Sequence, residues 1–148
     1  MNALVTGGGG FWHRMGDLGY LDERGRLWFC GRKSQRVVTA RGTLFTVPCE
    51  GVFNAHPAVA RTALVGVARG GAAEPVLCVE LGPGGRGADR ERLRRELLEM
   101  GTRYPATREI REILFHPSFP VDVRHNAKIN REKLAAWAAT RLPRRARP

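Results

Sequence analysis

The sequence predicts an α+β domain, one small sheet with helices packed against it, on three observations. Two compact runs rich in Val and Leu, RTALVGVA and PVLCVEL, have the length and composition of core strands. DRERLRRELLEMG reads as a helix with a start and a stop. Leu93, Leu97 and Met100 share a face, Asp89 can cap the free N–H groups, and Gly101 ends the run. From Pro48 onward the order is helix, strand, strand, helix, strand, helix, which suits a single sheet covered by helices.

The elements follow in chain order. Residues 1–10 end in four glycines and read as a flexible lead-in. LGYLDERGRLWFCGRK reads as a β-hairpin, with Tyr20 and Leu21 in one arm, Asp22–Gly25 as the turn and Leu27–Cys30 in the other arm. QRVVTARGTLFTV gives a second strand pair about Arg41–Gly42. Pro48 opens a short helix through CEGVFNA that stops at His56–Pro57. Arg69–Ala73 joins the two apolar strands, GPGGRG is a loop, and REILFHP is a further strand. Asn130 caps a last helix that turns Leu134, Trp137 and Ala138 inward. A boundary falls near Gly31–Gln35, because the hairpin region before it is too small to stand alone.

Composition narrows the class. A chain of 148 residues with 43% hydrophobic residues can bury a real core. No apolar run approaches the ~20 residues that span a bilayer, and MNALVTGGGG lacks the basic start and apolar stretch of a signal peptide. Cys30, Cys49 and Cys78 are odd in number and have no CxxC spacing. They fit buried thiols in a reducing cytoplasm rather than disulfides or a metal site. The net charge of +11 would suit a nucleic acid or an anionic small molecule. The excess is nearly all Arg, spread along the chain, and no aromatic RNA-binding signature or zinc-finger spacing accompanies it. Nucleic acid is therefore not the expected partner.

Two segments could carry chemistry. In WHRMGDLGYLDERGRLWFCGRK, residues 12–33, Asp17 sits between Gly16 and Leu18–Gly19. A carboxylate on such a turn can accept two hydrogen bonds from a vicinal diol, and flanking glycines let the backbone approach it. Arg32 follows a glycine and could fork onto a phosphate or a sugar hydroxyl. Taken alone, GDLG is also an ordinary turn and Arg32 an ordinary solvated cation. In FPVDVRHNAKINREKL, residues 119–134, Lys128 stands just ahead of a helix; the only other lysines are Lys33 and Lys133. It could bring a point charge to a phosphate or developing oxyanion, or be a solvated loop residue. His125 beside Arg124 could be a general base or a surface residue, and nothing nearby builds a Ser–His–Asp or metal constellation.

In order and at these distances, the segments resemble the C-terminal end of the acyl-adenylate-forming superfamily, which includes acyl-CoA synthetases, peptide-synthetase adenylation domains and luciferases. WHRMGDLGYLDERGRLWFCGRK is similar to that family's YRTGDLGYxDxxGxLxxxGRxxD. VPCEGVFNAHPAVARTALVGV resembles PxEVExxLxxHPxVxxAAVVGV, and PVDVRHNAKINREKL resembles PxTxSGKIxRxxL. The resemblance implies that Asp17 binds the ribose of ATP or AMP and that Arg32 contacts the ribose and phosphate side. It implies that Lys128 is the catalytic lysine, bridging the substrate carboxylate and the α-phosphate as pyrophosphate leaves. It also implies a hinge at Ser34 about which a small mobile lid swings between half-reactions, and ATP with Mg2+ held mainly by a large N-terminal domain.

The chain departs from that pattern in places. Met15 stands where the family has Thr, Ser34–Gln35 where the hinge has Asp or Lys, and HNAKI where it has SGKI; TARGTLFTVP is about two residues longer than its counterpart. These features look most like the fatty-acyl adenylating branch of bacterial olefin biosynthesis, which closes an activated β-hydroxy acid to a β-lactone. CoA and the substrate's own hydroxyl both stay open as the final acceptor. The implied division is 1–31 as the end of the large domain, 32–35 as hinge, 36–142 as lid and 143–148 as a basic tail. GGGG at 7–10 lacks the hydroxyls and Lys of a phosphate loop. Without that loop and the acyl pocket, the chain is expected to be inactive alone, with the missing large domain as its partner and a fatty or β-hydroxy fatty acid as substrate.

Overall fold

The two Val/Leu-rich runs form the longest strands of the fold. A computed structural model describes residues 4–7, 10–13, 15–122 and 128–143. We number the strands in chain order: β1 Leu4–Gly7, β2 Gly10–His13, β3 Asp17–Leu21, β4 Leu27–Arg32, β5 Val37–Thr39, β6 Gly42–Leu44, β7 Val59–Arg69, β8 Ala72–Leu81, β9 Glu112–Phe115, β10 Val121–Asp122 and β11 Lys128–Ile129. The helices are α1 Thr46–Asn54, α2 Arg90–Thr102 and α3 Arg131–Ala139.

β7 and β8 pair antiparallel, with Arg69 opposite Ala72, so Gly70–Gly71 alone makes the turn. Both glycines have positive φ, 57° and 92°, as a two-residue hairpin that follows the strand twist requires. β9 adds to β8 in parallel, and the crossover between them carries α2. The sheet is buried on both faces. On one, Leu64, Leu77, Val79 and Ile113 meet Phe53 of α1 and Leu97 of α2. On the other, Ala63, Val65, Val76 and Cys78 meet Phe119 and Leu134 and Ala138 of α3. A strand covered on both sides needs no polar alternation, which is why RTALVGVA reads as a near-continuous apolar run.

Local signals account for the helix ends, with two corrections. The Asp89 carboxylate accepts the N–H groups of Glu91 and Arg92 at 2.9 and 3.3 Å, and the Asn130 side chain accepts that of Lys133 at 3.0 Å. Asp89→Ala should therefore lower stability by about 1 kcal/mol in urea titration; an unchanged midpoint would show that the cap contributes nothing. The first correction is that α1 begins at Thr46, two residues before Pro48. Pro48 still lies in the first turn, where the helix has no acceptor for its missing N–H, so it is tolerated there. The second is that Gly101 does not end α2. The helix runs to Thr102, and Gly101 is buried in its last turn, where an added Cβ would lie 3.0 Å from Phe53 Cζ. That glycine lets α1 and α2 approach.

The segment ahead of this core is different. β1 and β2 pair antiparallel in the glycine-rich lead-in, where the sequence predicts no strands. β3 and β4 form the expected hairpin, and of residues 15–35 only Cys30 and Gly31 are buried. Tyr20 stacks on Trp28 at 6.5 Å, yet both remain about half exposed, as does Phe29, while Leu21 and Leu27 are more exposed still. The three cysteines are free and buried. Burial pushes the Cys49 thiol up to about 11 and the Cys78 thiol up to about 12, so both are inert at neutral pH. No helix among the described residues is long and apolar enough to cross a membrane.

Candidate functional site

Asp17 opens β3 and Arg32 closes β4, and the antiparallel register sets them opposite each other. The Arg32 Nε lies 3.1 Å from Asp17 Oδ1, with each side chain about two-fifths exposed. Gly16 has φ 76° and its carbonyl accepts the Lys33 N–H at 2.8 Å, while the Met15 carbonyl accepts from Arg32 Nη1. Two adjacent carbonyls ahead of β3 thus tie down the end of β4, one of them holding the Arg32 guanidinium. A carboxylate can accept about four hydrogen bonds, so pairing with Arg32 leaves Asp17 capacity for two hydroxyl donors.

The far end of this hairpin is held by Asp22. Its carboxylate accepts the N–H groups of Arg24 and Arg26, the Arg26 Nε at 2.7 Å and the Trp28 Nε1 at 2.9 Å. These donors, Trp28 first, lower its pKa from 3.8 to about 2. A depressed pKa means stability that is present above the unfolded value and lost as pH falls. The hairpin should therefore keep its Asp22 contribution above pH 4 and lose it as pH falls toward 2. Trp28 emission followed through an acid titration should show a step that Asp22→Asn removes; an identical step in that variant would assign it elsewhere.

Ser34 is exposed in a single 3₁₀ turn, Lys33–Gln35, between Arg32 and Arg36, which are both extended. Just before it, Gly31 has φ 110° and packs on the start of α1, where an added Cβ would lie 2.5 Å from Thr46 Oγ1. Lys128 is exposed in β11 and pairs in register with Asp122 of β10. Arg124 and His125 lie outside the described residues, so the general-base reading of His125 has no structural counterpart here.

Arg32 and Lys128 are 96 positions apart in sequence, yet both line one cleft of about 220 Å³ between the hairpin and the α+β core. Gln35, Thr46 and Arg131 line it too, and no carboxylate does. Asp17 reaches this cleft only through its ion pair with Arg32. Three cations line this small cleft, Arg131 among them already paired with Glu50, and together with the nearby Asp17 carboxylate they can hold an anion next to a sugar. No group of three or more His, Cys, Asp or Glu side chains that could hold a metal occurs among the described residues.

One pair escapes sequence reasoning. Glu50 of α1 and Arg131 of α3 form a two-pronged ion pair at 2.6 and 3.0 Å, with side chains 12% and 18% exposed. Both fall within the motif-like segments, but nothing in a linear sequence pairs positions 81 apart.

The fold is thus a hairpin with a carboxylate–arginine pair, a short turn, and a helix-covered sheet beside which the small β10–β11 ribbon carries Lys128. The chain is a C-terminal domain of the acyl-adenylate-forming superfamily. It superposes on the anthranilate CoA ligase AuaEII in complex with anthranoyl-AMP with a TM-score of 0.75 and 25% identity, covering 88% of this chain and 25% of that one. It is 57% identical over 127 residues to the olefin beta-lactone synthetase of Xanthomonas campestris and 56% identical over 134 residues to that of Stenotrophomonas maltophilia. Those matches cover 86% and 90% of this chain and 23% and 24% of the relatives, so the chain spans about a quarter of the length of the curated relatives it matches. No family model matches the chain.

Proposed function

We propose that this chain is the lid portion of an ATP-dependent ligase that activates a fatty or β-hydroxy fatty acid as its acyl-adenylate and closes it to a β-lactone. The observation that carries this reading is the identity of more than half to olefin beta-lactone synthetases across most of the chain. In the first step a carboxylate oxygen bonds to the α-phosphorus of ATP and the bond to pyrophosphate breaks. Two anions must approach, so a delivered ammonium lowers the barrier, and Lys128 is the exposed cation at the cleft. Asp17 would accept the ribose hydroxyls and Arg32 would face the phosphate side. In the second step the substrate's own hydroxyl oxygen bonds to the acyl carbon, AMP leaves, and the hydroxyl proton is released. The half-exposed stack of Tyr20 on Trp28 would lie against the large domain, and the turn around Ser34 would be the hinge.

The test supplies the large domain, by fusing residues 12–148 to that of a matching synthetase, and measures substrate-dependent pyrophosphate exchange. Exchange with β-hydroxy fatty acids, followed by lactone formation without CoA, is expected; exchange with no acid of this class would overturn the reading.

A CoA acceptor is the second reading. It is favoured by 39% identity over 56 residues to a 2-succinylbenzoate–CoA ligase of Bacillus cereus. Thioester formation in the same assay would select it. A basic binding module draws less support, because Arg41, Arg61, Arg69, Arg92 and Arg103 each lie within 3.3 Å of a carboxylate rather than forming one unopposed face.

A further inference from the structure

The Glu50–Arg131 pair joins three elements at one point. Glu50 Oε1 accepts the Leu64 N–H of β7 at 2.8 Å as well as Arg131 Nη1, and Arg131 Nη1 also donates to the Leu64 carbonyl at 3.0 Å. The two side chains therefore take up both backbone groups of Leu64, whose strand neighbour Leu77 lies on the other side. A buried ion pair is often no more stabilising than apolar side chains of the same volume. What it adds is direction, because a guanidinium fork fits a carboxylate in one plane.

That direction bears on Lys128. Arg131 is the first residue of α3, three positions after Lys128, within about 10 Å along an extended chain. Between them, the Asn130 N–H donates to the Pro120 carbonyl at 2.8 Å. Arg131 lines the cleft it shares with Lys128 and Arg32, and also a groove of about 570 Å³ that includes Ser34 and Asn130. The fork thus lies between the turn at Ser34 and the strand that ends the lysine loop.

We propose that Glu50, acting through Arg131, is a positioning residue that sets where Lys128 is presented at the cleft. This rests on the reading of Lys128 as the catalytic cation. Two variants test it: Glu50→Gln, which keeps an acceptor for Leu64, and Arg131→Lys, which keeps the charge and loses the fork. In the 148-residue chain, hydrogen exchange at Lys128 and Ile129 should quicken at least ~10-fold while β8 changes less than ~2-fold. Equal quickening in both places, or none at Lys128, overturns the proposal. If either variant fails to fold, the paired replacement Glu50→Leu with Arg131→Met preserves burial. Undisturbed exchange at Lys128 in that folded variant also overturns it.

In the fused enzyme, Glu50→Gln should lower kcat for pyrophosphate exchange by ~10-fold or more with KM for ATP little changed, as expected for a misplaced catalytic group. Lys128→Ala is the control. If Lys128→Ala loses exchange and Glu50→Gln does not, the positioning inference alone fails. If Lys128→Ala keeps exchange, the catalytic reading beneath it fails.

Discussion

Lys128→Ala, in this chain fused to the large domain of a matching synthetase, is expected to reduce pyrophosphate exchange by at least about 100-fold. The loss should fall on kcat, because the ammonium matters most when carboxylate and α-phosphate crowd together and negative charge builds between them. ATP affinity should change little, since the ribose and phosphate side is assigned to Arg32, which lines the cleft, and to Asp17, paired with it at 3.1 Å just outside. Lys128→Arg is expected to recover only part of the rate: the charge returns, but a planar fork replaces a compact point charge. Near-wild-type exchange in Lys128→Ala would sink the assignment.

Phe53→Ala should produce the largest loss of stability from a single core substitution. The ring is 1% exposed, packs in the cluster that holds Leu64, Leu97 and Ile113 together, and sits against the bare Cα of Gly101. Truncating a buried Phe costs about 3–5 kcal/mol, because apolar contact is lost and a cavity remains. Small domains have only about 5–15 kcal/mol in total. The urea midpoint should therefore fall by roughly 1–3 M at an ordinary slope. A shift below about 0.5 M would mean that α1 and α2 close over the gap, and that Gly101 is not the constraint its packing implies.

Contacts a few residues apart were legible in the sequence. The Asp22–Gly25 turn depends on a carboxylate reaching N–H groups two and four residues ahead. Asp89 and Asn130 cap their helices with side chains that reach no further than three residues. The motif-like segments also brought Asp17, Arg32 and Lys128 forward as candidates. Gly101 was misread because a helix-ending glycine and a glycine that admits a neighbouring ring look the same in one dimension. The start of α1 slipped by two residues because proline is compatible with any position of the first turn.

By itself, then, the sequence determined the α+β class, the order of the core helices and long strands, the hairpin and the caps, but not the short β1–β2 and β10–β11 pairs, since what it determined depends on periodicity or on partners close along the chain. Only the tertiary structure decided that the sheet is buried on both faces, that β9 joins β8 in parallel, and that Arg32 and Lys128 share a cleft. It alone revealed the Glu50–Arg131 fork, 81 positions apart. The reason is physical. Local hydrogen bonds are set by the few dihedrals between donor and acceptor. A contact across scores of residues exists only once burial of the core has brought its two ends together.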